Sequence, residues 1–221
     1  MKKILLLILV SLSLLSNSYA EKSKQTDQSI DRIVAIVNDD VVTRTELKHN
    51  LSLIKMQMTQ AHASLPSQDV LRQQVLNQII DKKIQLQIAS QIGIKVTEND
   101  LDSLIQRIAD QNQVSVEGLY TQLLREGMSI EDYRHEMHDQ ITLQKLQQQE
   151  VINHISVTPE EITAFMHSDM WKGTNGSDEA ANRKQAENAL LQRKFGDAIK
   201  NWVSKLRAQA FVKISSAATQ A

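Results

Sequence analysis

Apolar residues fall three and four apart over most of this chain, and two short stretches break that rhythm. Ile33-Val34-Ala35-Ile36-Val37 is a β-branched run, Asn38-Asp39-Asp40 is a turn signal, and Val41-Val42 resumes the run. That pattern predicts a strand, a tight turn and a short return. Near the other end, Ala210-Phe211-Val212-Lys213-Ile214 predicts a closing strand whose outward lysine suits a sheet edge. Between them the period is helical. A helix over 44–61 lines up Leu47, Leu51, Ile54 and Met58. A helix over 68–92 carries Leu71, Val75, Leu76, Ile79, Ile80, Ile84, Leu86, Ile88 and Ile92, a stripe wide enough to predict burial on most sides. Three more helices bring Leu101, Leu104, Ile105 and Ile108; then Leu119, Leu123 and Leu124; then Ile130, Tyr133, Met137, Ile141 and Leu146. A short helix follows Thr158. The last helix, over 178–207, sets Leu191, Phe195, Ile199, Trp202 and Leu206 on one stripe.

The helix starts are written in side chains that satisfy loose amides. Thr43 with Glu46, and Thr97 with Asp100, form capping boxes; Ser67, Ser115 and Ser129 are single caps; Thr158-Pro159-Glu160-Glu161 combines a cap, a first-turn proline and a carboxylate. Leu65-Pro66 closes the first helix, Gly93 the second and Gly127 the fourth. A lone strand with a two-residue return is not stable in water, so 210–214 is expected to pair with 33–37. The expected fold is mainly α: a multi-helix core with a small β-sheet that joins the N-terminal and C-terminal strands.

Composition narrows the class. The chain has 221 residues, no Cys, two Pro and six Gly. Met1-Lys2-Lys3, the apolar run from Ile4 to Leu15 and Ser18-Tyr19-Ala20 predict a cleaved signal peptide over 1–20, and hence a periplasmic protein. Losing those residues removes two lysines and no acid, which moves the formal charge from −1 to −3. A near-neutral chain gives no case for nucleic acid. Without Cys there is no disulfide, thiolate metal site or cysteine nucleophile. No Gly-rich loop offers a nucleotide cradle, and no later stretch is apolar enough to span a bilayer. The expected organisation is a signal peptide (1–20), a flexible arm (21–30), a helical domain (31–168), a linker (169–184), a C-terminal helix and strand packing back on that domain (185–214) and a tail (215–221).

Chemistry-bearing residues are few. His135 and His138 lie three apart, a spacing that can serve a metal, but no third ligand is evident and solvated helix-face histidines explain them. The prominent serines sit at helix starts, where capping accounts for them. Glu160-Glu161 reads as first-turn carboxylates stabilised by the helix dipole. No catalytic residue, metal site or cofactor is expected. The six methionines after Met1 either fill gaps in the core or line an adaptable apolar surface. Met56 and Met58 straddle one helix face, so at least one is free to line a groove.

Asp31-Arg32-Ile33-Val34-Ala35-Ile36-Val37-Asn38-Asp39-Asp40-Val41-Val42 followed by a helix resembles the opening of the periplasmic chaperone SurA family. Val70 to Asp81, then Gln91-Ile92-Gly93-Ile94-Lys95-Val96-Thr97, is similar to its second helix and following cap. Ile108-Ala109-Asp110-Gln111-Asn112 and Leu124-Arg125-Glu126-Gly127-Met128 continue the likeness. Arg193-Lys194-Phe195, Trp202 and Arg207 to Ile214 resemble the last helix and strand. Typical members carry parvulin-type prolyl isomerase domains between these two parts, and residues 169–184 leave no room for one. The resemblance implies a helical chaperone core without isomerase activity. It implies ATP-independent binding of unfolded outer-membrane β-barrel precursors, or other unfolded polypeptides, in an apolar cradle. Leu53, Met56, Tyr120, Met128, Tyr133 and Met137 are the expected contacts, between the first helix, the turn joining the fourth and fifth, and the last helix. Membrane-assembly machinery and a second copy of the chain are further candidate partners. Two readings compete: an active prolyl isomerase, and an adaptor for one fixed partner.

Overall fold

The computed structural model describes residues 31–173 and 178–215. The expected signal peptide and arm, and all but the first residue of the expected tail, lie outside them. The element order is β1 (Ile33–Val37), β2 (Asp40–Thr43), α1 (Arg44–Gln60), α2 (Gln68–Gln91), α3 (Glu98–Gln111), α4 (Val116–Arg125), α5 (Ile130–Glu150), α6 (Pro159–Met166), α7 (Glu179–Gln209) and β3 (Val212–Ile214). A single 3-10 turn, Ile152–His154, follows α5. The fold is mainly α with a small antiparallel sheet, as the pattern predicts.

The strands form a sheet in the order β2-β1-β3. Val37 pairs with Asp40 across the hairpin, and Ala35, Ile36 and Val37 pair with Ile214, Lys213 and Val212. The hairpin turns at Asn38, whose φ of 52° lies in the left-handed region that asparagine tolerates better than most residues. Val34, Ala35, Val37 and Val42 are fully buried, so the sheet is core despite its size.

Caps explain where most of the helices begin; α2 is the exception, since Ser67 makes no side-chain cap bond, and Thr43 caps α1 singly rather than in a box with Glu46. Thr43, Ser115, Ser129 and Asp178 accept an amide three residues on, and Thr97 and Thr158 complete capping boxes with Asp100 and Glu161. The ends of α1 to α4 share one geometry. After each, the third residue past the helix donates back to the last turn: Ala63 N to Met58 O, Ile94 N to Ala89 O, Val114 N to Ala109 O and Met128 N to Leu123 O. The intervening left-handed residue is Gly93 or Gly127 in two of them and His62 or Gln113 in the others.

Three cores result. The largest packs the sheet and Leu47 of α1 on Leu71, Val75, Leu76, Ile79, Ile80 and Ile84 of α2. The second joins α3, α4 and α5 through Leu101, Ile105, Ala109, Leu119, Tyr133 and Ile141. The third seats Ile162 and Phe165 of α6 on Ala186 of α7. Helix α2 packs against α1, α5, α7 and the sheet, which is the central role its wide stripe predicts. Its C-terminal end departs from that stripe. Leu86 and Ile88 are half-buried and Ile92, the residue that ends the helix, is exposed. Leu124 is likewise exposed at the end of α4.

Candidate functional site

The six expected contact residues separate into two groups. Tyr120, Met128, Tyr133 and Met137 come together on the α3–α4–α5 core. Leu53 and Met56 stand on α1 and belong to none of the three cores. Met56 is 45 % exposed, whereas Tyr133 is only 8 % exposed. The Tyr120 and Tyr133 rings meet edge to face with centroids 6.5 Å apart, so Tyr133 works mainly as the backing of Tyr120. Leu53, Tyr120, Met128 and Met137 are half-buried, with part of each side chain in solvent.

Charged seams hold these helices in place. Arg134 of α5 donates to Glu98 at 2.6 Å and Asp102 at 2.9 Å on α3, and to the Tyr120 hydroxyl at 3.3 Å. The tyrosine and Asp102 contacts raise its pKa further, so it is permanently charged. Burial pushes the Tyr133 phenol up, with Tyr120 adding to the effect. On the opposite side of α5, Lys82 of α2 reaches Glu136 at 2.7 Å and the buried Asp139 at 3.0 Å. Burial disfavours the charged lysine, but hydrogen bonds to Glu136 and Asp139 outweigh it and raise its pKa. His135 lies 4.0 Å from the same Asp139. Among the described residues no group of three or more His, Asp and Glu side chains could hold a metal ion.

Helix α7 has 31 residues, about 46 Å of helix. It is tied down over its first half and again near its end. Near its start Arg183 donates to Pro159 O and Thr163 Oγ1, and at its midpoint Lys194 donates to Glu161 at 2.6 Å and to Ser156 O at 2.9 Å. Toward its end, Arg207 binds Asp81 of α2 at 2.6 Å and the Asn77 side chain at 2.8 Å, while Leu206 and Ala210 pack on the largest core. The predicted stripe does not become core. Leu191, Phe195, Ile199 and Trp202 are each half-buried and belong to none of the three cores; Ala186 is the one fully buried residue of the helix.

The junction of α2, α7 and the sheet forms a groove of about 770 Å³, floored by Ile84, Ile88, Leu206 and Ala210. Asn38 stands at its rim and acts as a latch. Its amide N–H donates to Phe211 O, its side-chain oxygen accepts from Phe211 N–H, both at 2.8 Å, and its Nδ2 donates to Gln87 at 2.7 Å. Gln87 in turn donates to Val37 O. The Phe211 ring, despite this anchored backbone, is 61 % exposed. A second groove, of about 780 Å³, runs along α3 and α5 and is lined by Lys95, Asp100, Arg107, Lys145 and several glutamines. Sequence reasoning singled out neither the latch nor the grooves; an asparagine in a hairpin turn signals the turn, not its side-chain partner 173 residues away.

No helix among the described residues is long and apolar enough to cross a membrane. The curated relatives this chain matches include Chaperone SurA from Nitrosospira multiformis, 33 % identical over 187 residues, which are 76 % of this chain and 42 % of that protein. Chaperone SurA from Alcanivorax borkumensis is 36 % identical over 145 residues, 66 % of this chain and 33 % of that protein. The chain thus spans less than half the length of these relatives. Among solved structures, the study of PEB4 and Cj1289, described as SurA-like chaperones of Campylobacter jejuni, provides a match with a TM-score of 0.53 at 13 % identity. It covers 84 % of this chain and all of that one, and shows a shared fold. The model of the SurA N-terminal domain matches residues 30–147, β1 through most of α5. The chain belongs to the SurA N-terminal domain family.

Proposed function

We propose that this protein is an ATP-independent periplasmic holdase that binds unfolded outer-membrane protein precursors and keeps them from aggregating. The observation that carries this reading is the middle of α7. Four large apolar side chains at helical spacing, Leu191, Phe195, Ile199 and Trp202, are half-buried and enter no core. A helix anchored through Arg183, Lys194 and Arg207, with a stripe that no core fills, offers an apolar surface that does not depend on the client for its position. Loose binding suits a compartment where no nucleotide drives release. Met56 and Leu53 on α1, and Tyr120, Met128 and Met137 backed by Tyr133, extend the adaptable surface, since thioethers and long aliphatic chains repack readily around varied partners. Family membership supports the chaperone reading, and the relatives' printed name is Chaperone SurA. Membrane-assembly machinery and a second copy of the chain are proposed as further partners. Residues 167–178 between α6 and α7 leave no room for an inserted catalytic domain, so prolyl isomerisation is not proposed for this chain.

The test is a titration of the purified protein against an unfolded outer-membrane barrel protein diluted from urea. A folded barrel and a polar disordered chain are the controls. Saturable binding to the unfolded barrel alone, with reduced light scattering, is expected. Failure to bind any unfolded client would end the holdase reading.

A further inference from the structure

The pairing of β3 with β1 leaves a defined set of backbone groups without partners. Ser215 N–H donates to Val34 O at 2.9 Å, and Asn38 N–H donates to Phe211 O at 2.8 Å. In an antiparallel pair, alternate residues exchange bonds with the neighbouring strand. Phe211, Lys213 and Ser215 therefore face β1. The N–H and C=O of Val212 and Ile214 point the other way, away from the sheet. Since β3 is the last strand in the order β2-β1-β3, nothing among the described residues pairs with them.

The side chains beside this edge are unusual for one that is only solvated. Ile214 is 41 % exposed and Phe211 is 61 % exposed. Val212 packs on the largest core, and Ile214 lies on the same face of the strand two residues on. Lys213 stands on the opposite face, exposed. An unpaired edge recognises one kind of occupant, a segment that is itself extended. The two faces specify its side chains. Apolar residues would lie beside Ile214, and polar or acidic ones beside Lys213, with room for an aromatic next to the exposed Phe211 on that same face, which is an alternating pattern. The edge is three residues long and carries a lysine, both features that discourage permanent pairing between folded sheets. A brief, weak pairing is what such an edge permits.

We propose that the outer edge of β3 is a strand acceptor, on which an extended alternating segment of an unfolded client pairs with the backbone of Val212 and Ile214. This rests on the chaperone reading and adds to it a backbone-directed contact, distinct from the apolar surface of α7. Such a contact reads extended conformation rather than any one sequence.

The probe is a blocked ten-residue peptide of alternating valine and threonine, with a twin whose amides are N-methylated on both edges. Both are titrated into the native protein, with amide exchange followed at Val212 and Ile214. Ile214→Pro supplies the reverse test. It deletes an outward N–H and no bond to β1, and proline is tolerated at an edge when its missing donor would face solvent. The expected result is protection of both amides by the peptide, binding about fivefold weaker for Ile214→Pro, the worth of one net hydrogen bond, and a larger loss for the methylated twin, which can satisfy neither outward carbonyl. Equal binding of peptide and methylated twin, or binding that leaves both amides exchanging freely, overturns the strand acceptor while the holdase reading stands. If neither the peptide nor an unfolded barrel binds, the holdase reading fails and takes the acceptor with it.

Discussion

Helix α2 and helix α7 are the two longest helices, and they are held in opposite ways. Helix α2 is covered by α1, α5, α7 and the sheet, and eight of its residues are buried along its length. Helix α7 is held by α6 along its first half and by α2 near its end, and buries one residue, Ala186. Both carry regular apolar stripes. The difference teaches that a stripe states which face a helix would bury, while the number of neighbours decides whether it does. With neighbours on several sides, apolar area is removed from water completely. With fewer neighbours, it is removed only in part, and the remainder stays available to a partner.

That contrast can be broken by substitution. The largest effect is expected from Ile80→Ala in α2, a fully buried side chain in the largest core. Losing it should cost about 2–5 kcal/mol in urea or guanidinium unfolding. Trp202→Ala in α7 removes a larger side chain, yet part of its surface is already wet and it enters none of the three cores, so a loss smaller than that of Ile80→Ala is expected together with weakened client binding. If Trp202→Ala destabilises as much as Ile80→Ala and leaves binding unchanged, the α7 stripe is core after all. Arg207→Ala cuts one anchor. Its pair with Asp81 is about a third exposed, so solvent screening limits the loss to about 1 kcal/mol, and the difference from native should shrink at high salt.

The smallest effect concerns a solvated charge outside the contrast. A hydrogen bond from Lys145, with further help from Thr97, lowers the Asp100 carboxyl to about 2 from its ordinary 3.8. Because the folded state holds the proton more weakly than the unfolded chain, this pair adds stability above about pH 4 and loses it as the pH falls toward 2. Melting temperatures of native protein and Asp100→Asn, measured between pH 5 and 2, should therefore converge at the acid end. Parallel curves would show that Asp100 contributes no pH dependence.

Much of this fold is legible in the sequence because its punctuation is chemical. Thr43, Thr97, Ser115, Ser129 and Thr158 each cap the helix they announce. The strand pairing is legible too, because neither terminal strand is stable alone. What stays hidden depends on tertiary partners. His62 and Gln113 take the left-handed position that elsewhere falls to Gly93 and Gly127, and no residue-type signal marks them. Gln85, Asp139 and Thr142 are buried because Gln147, Lys82 and the His138 carbonyl meet them, which a helical period cannot foretell. The candidate surface is the least legible part. Met56 and Tyr133 look alike as apolar helix positions, yet one is open to solvent and the other backs a neighbouring ring.

The Asn38 latch also bears on how the chain acquires its structure. Residues 38 and 211 are joined across 173 positions, and closing a flexible loop of that span costs about 4.6 kcal/mol in the length-dependent part alone. A ribosome delivers β1 early and β3 after every other described element. The central strand therefore waits, with one side unmatched, until every other described element has been made. Docking of α7 on α2 through Arg207 shortens the remaining loop before the last strand arrives. Folding is expected to be slow for a helical protein of this size, with sheet closure as its final step, since distant contacts must be assembled before they are rewarded.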